Sequence, residues 1–166
     1  MSNEIIEIDM TKFDQKMDKL PEEVEKEARI CLRESAQIII DESRIEFTEH
    51  FKGHTGKGEQ AIQIDKSKTT NDSITVGLND DVAPYVKYLH EGTGIYGKGS
   101  GAYWVEPLTK KALHWVSGGE SFFSKGHYVN GIPAFPFLYR AAAKVKQKII
   151  EHFQFRINEA MKKAGY

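Results

Sequence analysis

Two histidines four residues apart, His50 and His54, are the first candidates for chemistry in this sequence. On a helix that spacing places both imidazoles on one face, where they could bind zinc. Gly53 lies between them, at a point where we expect the helix to end, and the chain lacks the acidic motif of the zinc proteases. A metal-dependent hydrolase using His50, His54 and His90 is therefore a minor alternative, and we predict no metal site.

A hydrolytic dyad is the second possibility, because His90 and Glu91 are followed by the hydroxyl groups of Thr93 and Ser100. A catalytic nucleophile needs a rigid turn, whereas both hydroxyls lie within a glycine-rich stretch. Cys31 is the only cysteine, which excludes an internal disulfide and a thiolate zinc cluster, and its helical surroundings indicate a buried thiol. We therefore predict that the protein is not an enzyme and binds no cofactor.

The segment EGTGIYGKGSG, from Glu91 to Gly101, is unusually rich in glycine. It does not match a phosphate-binding Walker loop, because no Gly-Lys-Ser/Thr follows at the required spacing and opens a helix, and it fits the dinucleotide fingerprint no better. Glycine at this density is too frequent for a strand and is typical of a flexible loop. We therefore predict a flexible loop from Gly92 to Gly101.

Aromatic residues surround this loop, at Tyr85, Tyr88, Tyr96, Tyr103 and Trp104. Such rings can stack on the bases of a single nucleic-acid strand when basic residues line the same groove. Only two lysines lie among them, and a strand in this region would direct its side chains alternately to two faces. Packing in the core or in a subunit interface is therefore the favoured interpretation.

Two long helices are predicted near the ends of the chain. From Pro21 to about His50, apolar or small residues recur at the spacing of one helix face, and acidic residues follow the proline, where the helix dipole favours them. A similar pattern begins near Pro136 and ends at Gly165, with two lysines in the last turn. A shorter helical turn is expected at Thr11–Leu20.

Five short strands are predicted between the two helices, at residues 61–65, 73–78, 85–91, 112–116 and 120–129. The first two flank the turn-rich segment KTTND, which is typical of a hairpin, and the last two are joined at Ser117-Gly118-Gly119. The predicted fold is therefore α+β, with one antiparallel sheet of about five short strands packed by a long N-terminal helix and a long C-terminal helix. We expect a single domain spanning residues 1–166.

Charge is distributed unevenly along the chain, although the formal net charge is -1. Residues 1–50 carry 7 basic and 14 acidic side chains, whereas residues 95–166 carry 11 basic and 4 acidic ones. These two regions can pair within one fold or between neighbouring subunits. The basic C-terminal third also leaves open a nucleic-acid-binding protein. No segment is apolar enough to span a bilayer, so no membrane partner is expected.

Three short motifs follow one another in a fixed order: Thr55-Gly56 before the first strand, Glu91-Gly92-Thr93 after a tyrosine-rich segment, and Pro136-Phe137-Leu138 before the last helix. From about Pro21 onward, this order and spacing resemble the tail-completion or head-to-tail joining proteins of long-tailed bacteriophages, which are minor tail components. Residues 110–129 are similar to an additional hairpin carried by many members. Gly58 departs from the pattern, because that family usually has a large apolar residue there.

The resemblance implies a virion structural protein at the neck or the top of the tail, synthesised and assembled in the bacterial host cytoplasm. Its implied partners are copies of itself in a ring, with a hexamer as the expected form, a head connector or stopper protein, and a tail tube or tail terminator protein. DNA would pass through the lumen without sequence-specific contact. We expect the interface to contain Tyr85, Tyr88, Glu91, Gly92, Thr93, Tyr96, Tyr103 and Trp104, while the other two motifs hold the architecture.

Overall fold

The computed structural model describes residues 6–9, 22–52, 56–99 and 101–165. The helices are α1 (Glu22–His50), α2 (Lys57–Gln60), α3 (Tyr85–Glu91) and α4 (Phe137–Lys163), and a 3-10 turn spans Gly94–Tyr96. The strands are β1 (Ile6–Asp9), β2 (Ile62–Ile64), β3 (Ser73–Leu78), β4 (Tyr103–Val105), β5 (Leu113–Ser117), β6 (Glu120–Ser124) and β7 (His127–Val129). The predicted α+β class and both long helices are confirmed. The helical turn predicted at residues 11–20 lies outside the described residues.

The chain forms two compact units, residues 1–86 with 136–166 and residues 87–135. The first contains both long helices and the sheet β1-β3-β2, and the second contains the pairs β4-β7 and β5-β6. The prediction of one five-stranded sheet is therefore wrong in its detail. The physical reason is local pairing, since β4 and β7 join each other around the β5-β6 hairpin and make their hydrogen bonds inside the second unit. The single domain stays a prediction.

Helix α1 forms because one face of the segment is apolar or small along its whole length. The buried face consists of Val24, Ala28, Cys31, Leu32, Ser35, Ala36, Ile39, Ile40, Ser43, Glu46 and Phe47. Ser35 and Ser43 are accommodated there because their hydroxyl groups donate to the carbonyl oxygens of Cys31 and Ile39, at 2.7 and 2.6 Å, one turn earlier. Three glutamates in the first turn complement the helix dipole.

The buried face of α1 packs against both α4 and the three-stranded sheet. In that sheet β3 is central and runs antiparallel to β1, with Ile6 opposite Val76, and to β2, with Ile62 opposite Leu78. The predicted β2-β3 hairpin is confirmed. Strand β1 was not predicted, because its four residues, IEID, are too short a run to distinguish from an acidic N-terminal segment.

Ion pairs lie along the contact between α1 and α4 and involve part of the unevenly distributed charge. They join Glu46 to Arg140 and Lys144, Glu42 to Lys144, and Glu27 and Glu34 to Arg156. Glu34 also makes a hydrogen bond of 2.7 Å with His152. Of the two possibilities left open by the sequence, these residues therefore pair within one subunit. No helix of the described ranges has the length and apolar character needed to cross a bilayer.

The segment Tyr85–Glu91, predicted to be a strand, is helix α3. Val86 and His90 are buried, whereas Tyr88, which would share their face in a strand, is exposed. This pattern follows the helical spacing of four residues. Pro84 precedes the helix directly, where its fixed φ and missing N–H cost nothing, and it was the signal for a helix start that the strand prediction overlooked.

The motifs predicted to be architectural lie where the two long helices meet the rest of the first unit. Gly56 has φ +78°, as expected for a turn after the first helix, and Thr55 lies outside the described residues. Pro136 immediately precedes α4, and Phe137 and Leu138 are fully buried. The predicted burial of Phe137 and Leu138 at the start of the last helix is therefore confirmed, whereas the architectural role of the motif stays a prediction.

At Gly58, where the phage family usually has a large apolar residue, packing explains why this chain has glycine. A Cβ at this position would overlap the ring of Phe47 on α1, so the missing side chain leaves room for that ring. Phe47 also meets Phe137 edge to face, with ring centroids 5.4 Å apart. The apolar bulk at this point therefore comes from α1.

Replacing Phe137 with Ala should lower the free energy of unfolding by about 3 to 5 kcal/mol, because the change leaves a cavity in a closely packed core. Chemical denaturation measures this directly. Phe155→Ala, at an exposed position of the same helix, is the control and should cost much less. Equal losses from the two variants would mean that burial of Phe137 does not govern stability.

Replacing Glu46 with Gln should weaken the contact between α1 and α4, and the resulting loss of stability should depend on pH. The hydrogen bond from Arg140 holds the pKa of the Glu46 carboxyl below its ordinary value of 4.5. The ion pair therefore stabilises the fold fully above about pH 4.5, and this contribution is lost as the pH falls through the lowered pKa. We expect Glu46→Gln to cost about 1 kcal/mol near neutral pH, since water screens the partly exposed Arg140, and much less in acid.

Urea unfolding of both proteins across the acidic range measures this difference. The matched control is Glu49→Gln, at an exposed position of the same helix, which should have little effect at any pH. The prediction would be contradicted if Glu46→Gln lowered the free energy of unfolding by the same amount at neutral and at acidic pH.

Candidate assembly surface

The hairpin formed by β5 and β6 is built around a two-residue turn. Ser117 lies opposite Glu120, and the intervening Gly118 and Gly119 have φ values of +61° and +87°. Positive φ at both central residues matches the type I′ turn, whose twist suits two antiparallel strands, and glycine adopts it without strain. The predicted joining of two strands at this point is confirmed.

Both faces of this hairpin carry apolar side chains. Trp115 stacks on Phe122 on one face, with ring centroids 5.7 Å apart, and His114 stacks on Phe123 on the other, at 4.7 Å. Trp115, Val116, Phe122 and Phe123 are nevertheless exposed, with 70% of Phe123 accessible to solvent. An isolated two-stranded hairpin is only marginally stable in water, so a surface that covers these rings would stabilise it.

The pair β4-β7 adds further aromatic surface to the second unit. Trp104 lies opposite Tyr128, and their rings meet edge to face with centroids 5.2 Å apart. The Trp104 indole N–H donates to a carboxylate oxygen of Glu106 at 3.3 Å. Both rings remain exposed, so this pair is ordered within the subunit while its apolar faces stay accessible.

The first half of the glycine-rich loop is held by the chain segment that precedes α4. The amide nitrogens of Thr93 and Ile95 donate to the carbonyl oxygens of Ile132 and Asn130, at 2.9 and 2.8 Å. The Thr93 hydroxyl accepts a hydrogen bond from the Ile132 amide at 2.9 Å. The prediction of a flexible loop is therefore wrong for residues 92–97, because these hydrogen bonds join the loop to its own subunit.

Glycine at two positions of this loop is required by close backbone approach. Gly92 has φ +75°, and a Cβ there would lie 2.9 Å from the amide nitrogen of Ala134. Gly94 has φ +60°, and its Cβ would overlap the carbonyl group of Asn130. These glycines allow two chain segments to pack backbone to backbone, which is the role of a close-packed turn rather than of a flexible tether.

The predicted interface residues divide into two groups. Tyr85, Tyr88, Tyr96, Tyr103 and Trp104 are exposed and available to a partner. Glu91 is half-buried, Gly92 is buried, and Thr93 binds within its own subunit. Gly92 and Thr93 therefore shape the loop within the subunit, and their place in an interface stays a prediction. Of the two packings expected for these rings, in the core or in a subunit interface, the core is excluded because all five are exposed in the subunit. Packing in an interface stays a prediction.

The hairpin residues Trp115, Val116, Phe122 and Phe123 were missed as surface residues, although the hairpin itself was predicted. A signal was present in the sequence. In LHWVS and ESFFS, apolar side chains occupy consecutive positions, so no alignment of the two strands can place all of them on one face. Such a pattern predicts a hairpin that is covered on both sides.

The residues considered for chemistry are distributed over the chain. His50 ends α1 with its ring against Phe51, His90 is buried on α3, and His54 and Ser100 lie outside the described residues. Cys31 is buried as predicted, and burial raises the pKa of its thiol to about 11. One group of possible metal ligands lies close together within the described ranges, namely Cys31, Glu34 and His152 between α1 and α4.

No protein-family model matches the chain, and no match was found among curated proteins or among solved structures. The resemblance to phage tail-completion proteins therefore stays an expectation drawn from its motifs. The exposed aromatic surface of the second unit is the feature that bears on function.

Replacing Gly94 with Ala should destabilise the second unit by roughly 2 to 4 kcal/mol, because the new Cβ meets the Asn130 carbonyl and φ is positive. Hydrogen exchange at the amides of Thr93 and Ile95 measures the local loss. Gly99→Ala is the matched control, since its Cβ would make only an ordinary contact, 3.7 Å from the Gly94 carbonyl oxygen. If these two amides exchange as slowly in Gly94→Ala as in the wild type, the loop accommodates the added Cβ and the prediction is wrong.

Proposed function

We propose that this protein is a structural component of a bacteriophage virion, a ring-forming tail-completion or head-to-tail joining protein that links the head connector to the tail tube. The observation that carries the proposal is the β5-β6 hairpin, whose aromatic side chains are exposed on both faces. A hairpin with exposed apolar side chains on both faces suits a protein that becomes fully stable only when an assembly covers them. The order of the three sequence motifs supports the particular assembly.

A second copy of the chain is the occupant that we favour for this hairpin. Exposed lysines flank it, at Lys110, Lys111 and Lys125, and exposed glutamates form the first turn of α1, at Glu22, Glu23 and Glu25. The hairpin of one copy would therefore meet a surface of opposite charge at the start of α1 in the next copy. Complementary charge steers such an encounter, while the aromatic side chains supply most of the binding energy.

The proposed contact joins two different surfaces, the hairpin of one copy and the first turn of α1 in the next. A contact of this heterologous type, repeated from copy to copy, closes into a ring when the rotation between subunits permits. A symmetric dimer would instead bring identical surfaces together. The choice of surfaces therefore fits a ring, with Tyr96, Tyr103 and Trp104 as additional contacts beside the hairpin.

Phe123→Ser should abolish ring formation and leave the subunit folded, because Phe123 is more exposed than Trp115 and Phe122, the other large apolar rings of the hairpin. Sedimentation velocity and negative-stain electron microscopy of the purified protein measure assembly, and circular dichroism measures folding. The matched control is Phe155→Ser, which removes the same ring from an exposed position on α4. The control variant should assemble normally.

In a phage that depends on this protein, Phe123→Ser should yield filled heads and complete tails that accumulate separately. Rings and joined virions formed normally by Phe123→Ser would overturn the assignment of the hairpin. Wild-type protein that stays monomeric at high concentration, together with normal joining in its absence, would overturn the proposed function.

Nucleic-acid binding by the basic C-terminal third is the alternative function. It is less favoured because Arg140, Lys144 and Arg156 of α4 form ion pairs with glutamates of α1. Their charges are therefore partly neutralised within the subunit. Retention of monomers on random-sequence DNA that weakens steeply with salt would support the alternative, whereas no retention at low salt would exclude it.

A further inference from the structure

Three side chains with different metal-binding atoms meet between α1 and α4. The Sγ of Cys31, a carboxylate oxygen of Glu34 and an imidazole nitrogen of His152 all lie within 4.8 Å of one another. Cys31 and Glu34 share one face of α1 because they are three residues apart, and His152 approaches from α4. The group therefore depends on the packing of the two long helices.

We propose that Cys31, Glu34 and His152 form a binding site for a divalent cation of the zinc class. Thiolate, imidazole and carboxylate groups are the three ligand types that zinc accepts in proteins, and a thiolate disfavours magnesium and calcium. With zinc–ligand bonds of about 2.0 to 2.3 Å, the ligand atoms of a tetrahedral site lie roughly 3.3 to 3.8 Å apart. Side-chain movements of about 1 Å bring this group to that geometry.

The three residues differ in burial, and this difference shows from which side a cation would enter. Cys31 is fully buried, whereas the side chains of Glu34 and His152 are 40% and 30% exposed. A cation therefore reaches Glu34 and His152 from solvent and meets the thiol on the inner side. Three protein ligands leave a fourth position for water on the open side, as in zinc sites with one exchangeable ligand.

The Arg156 guanidinium beside Glu34 would oppose a bound cation, and Glu27 offers it another partner. Its Nη1 lies 3.5 Å from Glu34, but its Nη2 makes a closer contact with Glu27. Glu27 can therefore retain the guanidinium while Glu34 turns to the metal. The Cys31 thiol releases its proton to solvent on binding, so the thiolate and the Glu34 carboxylate together balance the two charges of the cation.

The imidazole is already oriented for this role. Its Nε2 lies 2.7 Å from a carboxylate oxygen of Glu34, so the nitrogen faces the other ligands before any cation arrives. On binding, Nε2 gives up its hydrogen bond to Glu34. Its proton passes to solvent, or the neutral ring changes tautomer and carries its proton on Nδ1, so that the Nε2 lone pair is available to the metal. Pre-orientation of this kind reduces the conformational cost of binding.

Titration with Co²⁺ tests the site, using the full chain without a histidine tag and with a phosphine reductant to keep the thiol reduced. We expect one Co²⁺ per chain and a thiolate-to-cobalt charge-transfer band in the near ultraviolet, with both signals lost on addition of Zn²⁺. Zn²⁺ should also raise the melting temperature, because it binds only the folded seam. A wild-type protein without the charge-transfer band would overturn the proposal.

Variants separate this site from adventitious binding. Glu34→Gln and His152→Gln should each weaken Co²⁺ binding by about 100-fold or more, the upper limit seen for groups that merely support a ligand. Cys31→Ser should lose the charge-transfer band. If the buried substitution prevents folding, the two partly exposed variants still decide the question. His114→Gln, on the hairpin, is the control and should bind like wild type; equal affinity in all variants would contradict the site.

Discussion

The packing of α1 against α4 is the interaction on which the first unit depends. Both helices present buried apolar faces to each other, and α1 also covers the three-stranded sheet. The two helices are separated in sequence by the whole of residues 87–135, so the second unit is an insertion between the parts of the first. Closing this long connection costs entropy, which the apolar seam and its flanking ion pairs must offset.

Much of this framework could be predicted from the sequence, because it depends on local patterns. Long runs with helical spacing identified α1 and α4 nearly to the residue, and turn chemistry identified the β2-β3 and β5-β6 hairpins. Pairing between the acidic and basic regions could not be decided, since Glu27 and Arg156 are brought together only by the helix seam. The group of Cys31, Glu34 and His152 escaped prediction for the same reason.

The errors arose where one pattern serves two structures. In Tyr85–Glu91, Val86 and His90 lie on one face in a strand and in a helix alike, so their apolar and polar character could not separate the two. Gly92 and Gly94 likewise suit a flexible loop or a close backbone contact. Their contact partners lie about forty residues later along the chain. The exposed tyrosines of the candidate surface were predicted as interface residues. The hairpin rings were missed, although the consecutive apolar residues of LHWVS and ESFFS already indicated apolar side chains on both faces.

The two-faced character of the hairpin constrains how any neighbour can cover it. A flat surface buries only one face of a strand pair and leaves the other in water, because side chains alternate across the strands. Trp115 and Phe122 lie on one face, and His114 and Phe123 lie on the other. If the hairpin forms the proposed subunit contact, the start of α1 in the next copy covers one face, and full burial requires a second surface over the other face. A hairpin held between two surfaces buries more apolar area than a contact of the same length on one side.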